Sequence, residues 1–397
     1  MSLTVPPPLS SATRSPIERW GLDPHVVHLN HGSFGGCLRT VLVRAAELRQ
    51  RLEAAPMRFF VLDWQRELDA AREALAAFVH APSDRLVFVP GSTTGVALAL
   101  HSIPWQTGDE IILTDHGYRA CRNQVERLAA ARGVKIVTVT LALPLDHDQV
   151  VEAFSTAITS RTRAILVDHV TSPTALILPV ERLVALATTS GVTTIVDGAH
   201  APGQLELDVA AIRATYYTGN CHKWMCAPKG TGFLAIAEGA PAIPLVTSHG
   251  ASPEYGLANR LHAELDWAGT HDPAAHLSVP TAITEVGAEG GGWSELRRRN
   301  HALVLDMRRR FVDTLGRSTP VRSLAPDHCI GSMVSIPVTL PGSALALERE
   351  LLETGWEVPI VDTPKGALVR LSAHLYNHAD EAAQLARQLA EYDVRLR

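Results

Sequence analysis

Residues 196–224 read VDGAHAPGQLELDVAAIRATYYTGNCHKW, a stretch that brings an acid, an imidazole and a lysine close together. At its start, Val192 to Val196 is short and rich in Val, Thr and Ile, which predicts a buried parallel strand with Asp197 at its carboxyl end. Ligands bind at that edge of α/β sheets. The chain has only four lysines against 32 arginines, so Lys223 is a candidate for chemistry rather than surface charge.

Asp197 and Lys223 suit two positions on one aromatic cofactor. A buried carboxylate keeps a pyridine nitrogen protonated, which lets the ring accept electrons from a carbanion, and a lysine forms an imine with an aldehyde on the same ring. Together these two roles describe pyridoxal 5′-phosphate (PLP). A strand that ends in a capping aspartate, with an exposed lysine nearby, is the alternative for this stretch taken alone.

Length and composition are those of an ordinary globular chain. The 397 residues suffice for two domains, 46% of them are hydrophobic, and the net charge is -5. No stretch combines basic residues with aromatics, and no apolar run approaches the ~20 residues of a membrane span, so we expect neither a nucleic-acid nor a membrane partner. The expected partner is therefore a small-molecule substrate. The N terminus lacks a signal-peptide pattern, which predicts a cytoplasmic protein. Five scattered cysteines and dispersed histidines predict reduced thiols and no metal site.

Alternating strand and helix patterns predict the α/β fold class. They run from Leu86 to Ala237 and imply a largely parallel sheet covered by helices. The segment 240–295 is rich in Gly, Pro and His and gives no assignment. Helices and strands after it indicate a small α+β domain. The predicted organisation is an N-terminal arm at 1–24, a large domain at 25–285 whose first segment contributes to the small domain, and that small domain at 286–397.

The motif GSTTG at 91–95 places three hydroxyl groups where a strand turns into a helix: Ser92, Thr93 and Thr94. Free N–H groups and the helix dipole attract an anion at such a turn, so it is a candidate cradle for the cofactor phosphate. Ser and Thr also cap many helices that bind no ligand, so the motif is a weak signal on its own.

Three further candidates follow from their local sequence. Tyr118 comes just beyond a strand end, where its ring could stack on the pyridine or pack in the core. Ser172, in DHVTSPT, could bond the cofactor's phenolic oxygen or the substrate. Arg370 lies on a predicted strand among apolar neighbours and needs a carboxylate, supplied either by the substrate or by a structural ion pair.

The motifs LNHGSFG, GSTTG, TDHGY, DHVTSPT, DGAHAPG, GNCHKW, WAGTHDP and VRLSAHLYN together resemble the class V aminotransferase superfamily of fold type I PLP enzymes. The chain looks most like the isopenicillin N epimerase-like subgroup, beside C–S lyases and cysteine desulfurases, over about residues 25–390. The resemblance implies a PLP-binding domain with a mostly parallel, seven-stranded-type sheet and a smaller C-terminal α+β domain. It also implies a homodimer with active sites at the interface.

The resemblance implies roles around the cofactor. Lys223 would form the internal aldimine, Asp197 would pair with the pyridine nitrogen, and Tyr118 would stack on the ring. His200 would lie near the phenolic oxygen, where many relatives carry Gln. The remaining implied contacts are to the phosphate and would come from Ser92, Thr93, Thr94, His222 and, across the subunit interface, Thr270.

Three residues are implied for the substrate. Arg370 would bind its α-carboxylate, while Asn30 and His31 would border its pocket. Two positions depart from the desulfurases. Asn220 stands where many of them carry a serine, which leaves its contact with the phosphate open, and the loop before Arg370 lacks the mobile cysteine that forms a persulfide.

The implied reaction begins when the freed lysine removes the Cα proton and gives a quinonoid carbanion. Reprotonation from the other face gives epimerisation, loss of a β-substituent gives a C–S lyase, and protonation on the cofactor gives an aminotransferase. We favour isopenicillin N epimerase-like chemistry on an amino acid or an amino-acid-bearing metabolite, with the other two as alternatives. A catalytically silent PLP-fold binding protein is the alternative from another class. Tyr118, His31 and Cys221 are candidates for a second proton carrier.

Overall fold

Two main β-sheets organise the protein in a computed structural model, which describes residues 15–252, 259–316 and 323–397. The strands are β1 (Val27–His28), β2 (Leu86–Val89), β3 (Glu110–Thr114), β4 (Lys135–Val139), β5 (Thr162–Asp168), β6 (Thr193–Gly198), β7 (Tyr216–Asn220), β8 (Gly232–Ile236), β9 (Met333–Thr339), β10 (Trp356–Glu357), β11 (Ile360–Thr363), β12 (Gly366–Ser372) and β13 (Arg395–Leu396).

Helices cover these sheets and connect most of their strands. They are α1 (His31–Phe34), α2 (Arg39–Ala54), α3 (Pro56–Arg58), α4 (Trp64–Val79), α5 (Ser92–Ser102), α6 (Arg119–Arg132), α7 (His147–Ala157), α8 (Val180–Thr189), α9 (Val209–Ile212), α10 (Arg260–Leu265), α11 (Ala274–Leu277), α12 (Val279–Glu289), α13 (Trp293–Leu315), α14 (Ala344–Glu353) and α15 (Ala379–Glu391). Within the described ranges, none is long and apolar enough to cross a membrane.

The larger sheet has seven strands in the order β2-β8-β7-β6-β5-β3-β4. All of its strands are parallel except β8, which pairs antiparallel with both β2 and β7. Strands β2, β7 and β8 are buried along their whole length, as expected for a sheet with helices on both faces. The predicted α/β fold class with a mostly parallel sheet is confirmed, and the parallel strands present their carboxyl ends along one edge.

Three parts of the secondary structure differ from the sequence prediction. Strand β7 was not predicted, because its sequence, YYTGN, ends in Gly219 and Asn220, two residue types that are common in turns and rare in strands. The unassigned segment 240–295 contains α10, α11 and α12. The sequence pattern also predicts a final helix from Asp380 to Leu396. The helix ends at Glu391, and Arg395–Leu396 instead pair with β9 as an edge strand.

The smaller sheet is antiparallel, in the order β11-β12-β9-β13. Helices α13 and α15 pack together and bury Val304, Met307, Phe311 and Leu385 in one apolar cluster with strands of this sheet. This matches the α+β character expected of the C-terminal region. The division of the chain near residue 286 stays a prediction.

The first described segment of the chain joins this C-terminal cluster. Strand β1 runs parallel to β10, and the Leu29 N–H donates to the Glu357 carbonyl at 2.9 Å. The Leu29 carbonyl in turn accepts from the Ser372 N–H at 2.9 Å, so α1 is held beside β12. Most of the arm predicted at 1–24 lies outside the described residues, but Trp20 is fully buried and so packs with the rest of the molecule.

Candidate active site

A cavity of about 330 Å³ opens at the carboxyl edge of the seven-stranded sheet. Ten of the predicted site residues line it: Ser92, Thr93, Thr94, Tyr118, Ser172, Asp197, His200, Asn220, His222 and Lys223. They converge because β5, β6 and β7 end side by side, with Asp168 paired to Asp197 and Thr218 paired to Asp197 across neighbouring strands. Parallel strands thus gather residues that are distant in sequence at one edge.

One end of this cavity is the N terminus of α5, which has the features of an anion site. Gly91 precedes the helix, and a Cβ there would lie 3.3 Å from the Asn220 Oδ1, so the backbone approaches this side chain closely. The Ser92 Oγ is buried and has no hydrogen-bond partner among the described residues. An orphaned buried hydroxyl at a helix N terminus suits a phosphate oxygen.

Asn220 and His222 flank this helix terminus. The Asn220 Oδ1 accepts the Ser92 N–H at 2.8 Å, so the amide helps to fix the first turn of α5. Burial lowers the pKa of His222 to about 4, and its Nδ1–H donates to the Thr231 carbonyl at 2.7 Å. For His222 to donate to a phosphate as well, its ring must take up a proton, which the charge of a phosphate dianion would favour.

The surroundings of Lys223 favour the neutral form of its amine more than water does. Burial lowers its pKa to about 8, with the Arg370 charge adding to this effect and Asp197 opposing it. The Lys223 Nζ lies 3.1 Å from the His200 Nε2, and the Trp224 Nε1–H donates to the His200 Nδ1 at 3.4 Å. Because Trp224 occupies Nδ1 as a donor, the neutral imidazole carries its proton on Nε2 and points it at the lysine. A neutral amine is the form that acts as a nucleophile or a base.

Asp197 is 3% exposed and has no cation in ion-pair contact within the described ranges. It accepts hydrogen bonds from the Ala199 N–H at 3.0 Å and from the Cys121 thiol at 3.2 Å. Burial raises the pKa of Asp197, and burial together with Asp197 raises the pKa of its strand neighbour Asp168 well above the usual range. A protonated pyridine nitrogen at Asp197 would supply the missing positive charge.

Tyr118 is the N-cap of α6 and covers one side of the cavity. Its side chain is 42% exposed, so it does not pack in the core, and its backbone N–H donates to the Asp168 Oδ1 at 3.3 Å. An aromatic face left open over the cavity suits stacking on a planar ring. With Ser92, Asp197 and Lys223, it gives the cavity one feature for each part of PLP, so the residues present fit this cofactor.

Arg370 lies next to this cavity rather than in its wall, and it contacts two residues of the wall, Ser33 and Ser172. It is 4% exposed, and burial lowers its pKa to about 10. Its guanidinium donates to the Ser172 carbonyl and Ser33 Oγ at 2.6 Å and to the Asn30 Oδ1 at 3.2 Å, all of them neutral acceptors. Within the described ranges no carboxylate forms an ion pair with it, so the structural ion pair left open by the sequence is not formed. A substrate carboxylate would fit.

The structure corrects two of the predicted roles. His31 does not line the cavity but lies buried beneath Lys223, where its Nε2–H donates to the Lys223 carbonyl at 3.1 Å and its ring stacks on His374 at 4.0 Å. Burial lowers its pKa well below the usual range. Cys221 is fully buried, and burial raises its pKa. Of the three candidates for a second proton carrier, only Tyr118 therefore faces the cavity.

Thr270 lies on an exposed loop and is not part of the cavity wall in the single chain. Its contact with a neighbouring subunit stays a prediction.

Three of the cavity-lining residues that the sequence did not assign are Ser33, Phe34 and Asp168. Phe34 is 69% exposed, and Ser33 contacts Arg370. All three were visible inside quoted motifs, LNHGSFG and DHVTSPT. Asp168 was detectable as a second acid at the end of a strand next to that of Asp197, once the order of the strands was known.

Comparison with known proteins agrees with this geometry. Residues 40–344 match the family described as Aminotransferase class-V. The chain is 37% identical to isopenicillin N epimerase from Amycolatopsis lactamdurans, over 94% of this chain and 97% of that protein. It is 29% identical to a probable chloroplastic L-cysteine desulfhydrase from Arabidopsis thaliana, over 91% of this chain and 82% of that one. The fold is similar to a solved structure of a C-DES mutant with glycine covalently linked to its PLP cofactor, at a TM-score of 0.81 and 20% identity, covering 95% of this chain and 100% of that one.

Proposed function

The chain belongs to the class V aminotransferase family of PLP-dependent enzymes, and from this premise we propose that it epimerises the Cα of an amino acid or of a metabolite that carries one. The proposal is supported above all by Arg370, a buried guanidinium without a carboxylate partner in the described chain, which bonds Ser172 and Ser33 in the wall of the cavity that holds Lys223. An α-amino acid offers its carboxylate to Arg370 and its Cα proton to Lys223.

We propose that the residues at the sheet edge hold PLP. Ser92, Thr93 and Thr94, with the N terminus of α5 and His222, would bind its phosphate, and Asp197 would bind its pyridine nitrogen. Bound there, PLP supplies a ring that delocalises negative charge developing at Cα. Asn220 keeps the first turn of α5 in place through the Ser92 N–H.

At the substrate, Arg370 would bind the α-carboxylate in exchange for some of its present hydrogen bonds to Asn30, Ser33 and Ser172, and those that remain would hold the guanidinium in place. Lys223 would take the Cα proton at its Nζ, because the lowered pKa of about 8 makes more of the neutral amine available near physiological pH. The His200 Nε2–H, set by Trp224, orients that amine.

Epimerisation also needs a proton donor on the opposite face of Cα, and we propose Tyr118 for this role because it alone of the three candidates faces the cavity. In a Tyr118→Phe variant we expect the Cα proton to keep exchanging with solvent deuterium. Inversion at Cα should be slowed about 100-fold, within the range for loss of a general acid. Equal loss of exchange and inversion would instead assign Tyr118 to holding the cofactor.

A C–S lyase is the second candidate, favoured by the similarity to an L-cysteine desulfhydrase. β-Elimination needs Arg370, Lys223 and PLP but no second proton donor and no cysteine. A persulfide-forming desulfurase is disfavoured, because every cysteine among the described residues is buried and burial raises the pKa of each thiol.

Proton NMR of the PLP-loaded protein with a panel of L-amino acids and cysteine conjugates in deuterated buffer separates these functions. Cα deuteration with the D-enantiomer and no keto acid supports an epimerase. Keto acid with ammonia and a released thiol identifies a lyase, and keto acid with a pyridoxamine spectrum identifies an aminotransferase. Turnover identical in wild type and Lys223→Ala would indicate a catalytically silent binding protein.

We further propose a homodimer in which Thr270 of each subunit contacts the site of the other. Its exposed position in the single chain is compatible with such a contact. Light scattering after size exclusion that shows only a monomer at micromolar concentration would contradict it. A cytoplasmic location stays a prediction from the sequence.

A further inference from the structure

A second cavity of about 410 Å³ adjoins the first. The two share Tyr118 and Ser172, and Arg370 lines the second while its hydrogen bonds reach Ser33 in the wall of the first. We call the second one the distal cavity. A substrate with its α-carboxylate on Arg370 therefore has open space next to it that the chemistry at Cα does not use.

The walls of the distal cavity are apolar where they leave the shared residues. This lining comes from three parts of the chain: Leu143, Leu324, and the paired hairpin residues Val361 and Leu368. Such a surface suits the methylene groups of a long side chain, because their transfer from water is favourable by ~0.8 kcal/mol each. A one-carbon side chain such as that of cysteine would leave most of this volume empty.

Two cations lie beyond these walls, Lys365 and Arg397. Lys365 stands at the tip of the hairpin between β11 and β12, which Thr363 fixes by accepting the Lys365 N–H at 3.3 Å and donating to the Gly366 carbonyl at 2.6 Å. A Cβ on Gly366 would come within 2.2 Å of an Arg397 guanidinium nitrogen, so the absence of a side chain there lets Arg397 approach the tip.

Neither cation has an acidic partner in ion-pair contact within the described part of the chain, whereas Arg119 in the same wall pairs with Glu126. The wall also holds two carboxylates, Asp115 and Asp362. Asp115 already accepts the Leu141 N–H at 3.0 Å and faces His116 at 3.8 Å. Without the paired Arg119, the wall holds three cations, Lys365, Arg370 and Arg397, against these two carboxylates, which is a local excess of positive charge in a chain of net charge -5.

Burial lowers the pKa of His116, and Lys365 adds to this lowering while Asp115 opposes it. The charge of Lys365 therefore acts on a residue in the wall of the distal cavity and not only at the surface of the hairpin.

We propose that the distal cavity takes the side chain of the substrate and that Lys365 and Arg397 bind a carboxylate at its far end. The substrate class is thus an α-amino acid with a long, largely apolar side chain that ends in a second anionic group. The inference rests on the proposed function for the placement of the α-carboxylate on Arg370.

The experiment compares substrates of equal length that end in a methyl group or in a carboxylate. The pairs are L-2-aminohexanoate with L-2-aminoadipate, and L-2-aminooctanoate with L-2-aminosuberate. Exchange of the Cα proton in deuterated buffer gives kcat/KM for each on the PLP-loaded full chain. In one pair or both we expect a preference of roughly tenfold for the carboxylate, the size typical of a charge-assisted hydrogen bond.

The double variant Lys365→Met/Arg397→Met should reduce this preference to about twofold or less, because both cations are removed while the apolar walls remain. Lys135→Met, the same change at an exposed lysine at the start of β4, should leave the preference intact. Lys365→Met alone gives a second reading if the double variant expresses poorly. A wild type without the preference, or a double variant that keeps it, overturns the inference.

Failure of the proposed function gives a different result. If wild type exchanges no amino acid at all, calorimetry with L-2-aminosuberate and L-2-aminooctanoate tests the distal cavity independently. Tighter binding of the dicarboxylate that weakens about tenfold in the double variant supports the cavity, while equal or undetectable binding of the two overturns it.

Discussion

The two ends of the active site are built in different ways. What we call the cofactor end, Ser92, Asp197 and Lys223, comes from the carboxyl edge of the seven-stranded sheet and its flanking turns. The substrate end, Asn30, Ser33 and Arg370, comes from segments up to 340 residues apart that meet beside the smaller sheet. A parallel sheet gathers functional residues through its topology, whereas the substrate end exists only once two distant parts of the chain have packed. Variants at the two ends should therefore fail differently.

The largest effect is expected at Lys223. In Lys223→Ala, Cα exchange should fall at least about 1000-fold, because the proposed base is lost, and a small amine such as ethylamine should restore part of it. Deuterium incorporation measured by NMR gives the rate. Lys135→Ala, at an exposed lysine on β4, is the matched control and should exchange as wild type does. Undiminished exchange in Lys223→Ala would remove the proposed chemistry from the cofactor end.

Arg370 tests the substrate end separately. Arg370→Lys keeps the charge but loses the planar fork that binds a carboxylate, so KM for an amino acid should rise about 100-fold. The affinity for PLP, measured by fluorescence titration, should change less than about twofold. Arg298→Lys, on an exposed face of α13, should alter neither quantity. A comparable loss of PLP affinity in Arg370→Lys would show that the two ends are not independent.

Ser92 tests the cofactor end, where a variant should weaken the binding of PLP by a smaller factor than Arg370→Lys raises KM. Ser92→Ala removes one hydroxyl from the helix terminus, so the dissociation constant of PLP should rise about tenfold, as for one hydrogen bond to a charged group. Ser102→Ala, at the other end of α5, removes a buried hydroxyl that bonds the Leu98 carbonyl and should leave this constant unchanged. If both variants lose affinity equally, the stability of the helix rather than the anion cradle is responsible.

The smallest expected effect is on the free energy of unfolding, which a variant at Lys223 should raise, whereas the variants above should lose activity or affinity. The pKa of Lys223 in the folded chain, about 8, lies below its usual value of 10.5, so a charged Lys223 destabilises the fold below pH 8 and this cost disappears as the pH rises to 10.5. Cavity water screens part of it. Without cofactor, Lys223→Met should be more stable than wild type at pH 7 by ~1–2 kcal/mol, with no difference at pH 10.5.

Urea unfolding at the two pH values measures this difference, with Lys135→Met as a control that should show none. A Lys223→Met protein that is less stable than wild type at pH 7 would mean that the lysine is favourably paired in the absence of cofactor.

The cofactor end was largely predictable from the sequence. Asp197, Lys223 and the hydroxyls at 92–94 lie in short motifs at strand ends, where local pattern and topology point to the same place. Strand β7, which sets the position of Asn220, was missed because its last two residues, Gly219 and Asn220, are typical of turns rather than strands. The pairing of Asp168 with Asp197 needed the strand order, which local sequence does not contain.

The substrate end was predicted less completely. Arg370 was recognised, but the choice between a substrate and an internal carboxylate depended on tertiary contacts that only the fold supplies. His31 was misplaced because a histidine in a glycine-rich loop gives no sign of whether its ring faces the cavity or a buried aromatic cluster. The distal cavity had no local signature, since its walls come from segments far apart in the chain.

The junction of β1 with β10 and β12 also has a consequence for the order of events on the ribosome. The N-terminal segment emerges first, but the strand that carries Arg370 follows β8 by on the order of 10 s, at ~5–20 residues per second. Until then Leu29 lacks its hydrogen-bond partners at Glu357 and Ser372. We expect a chain stalled before β10 to expose Leu29 to protease and the finished chain to protect it. If Arg370 binds the substrate as proposed, the nascent chain therefore completes its cofactor end before its substrate end.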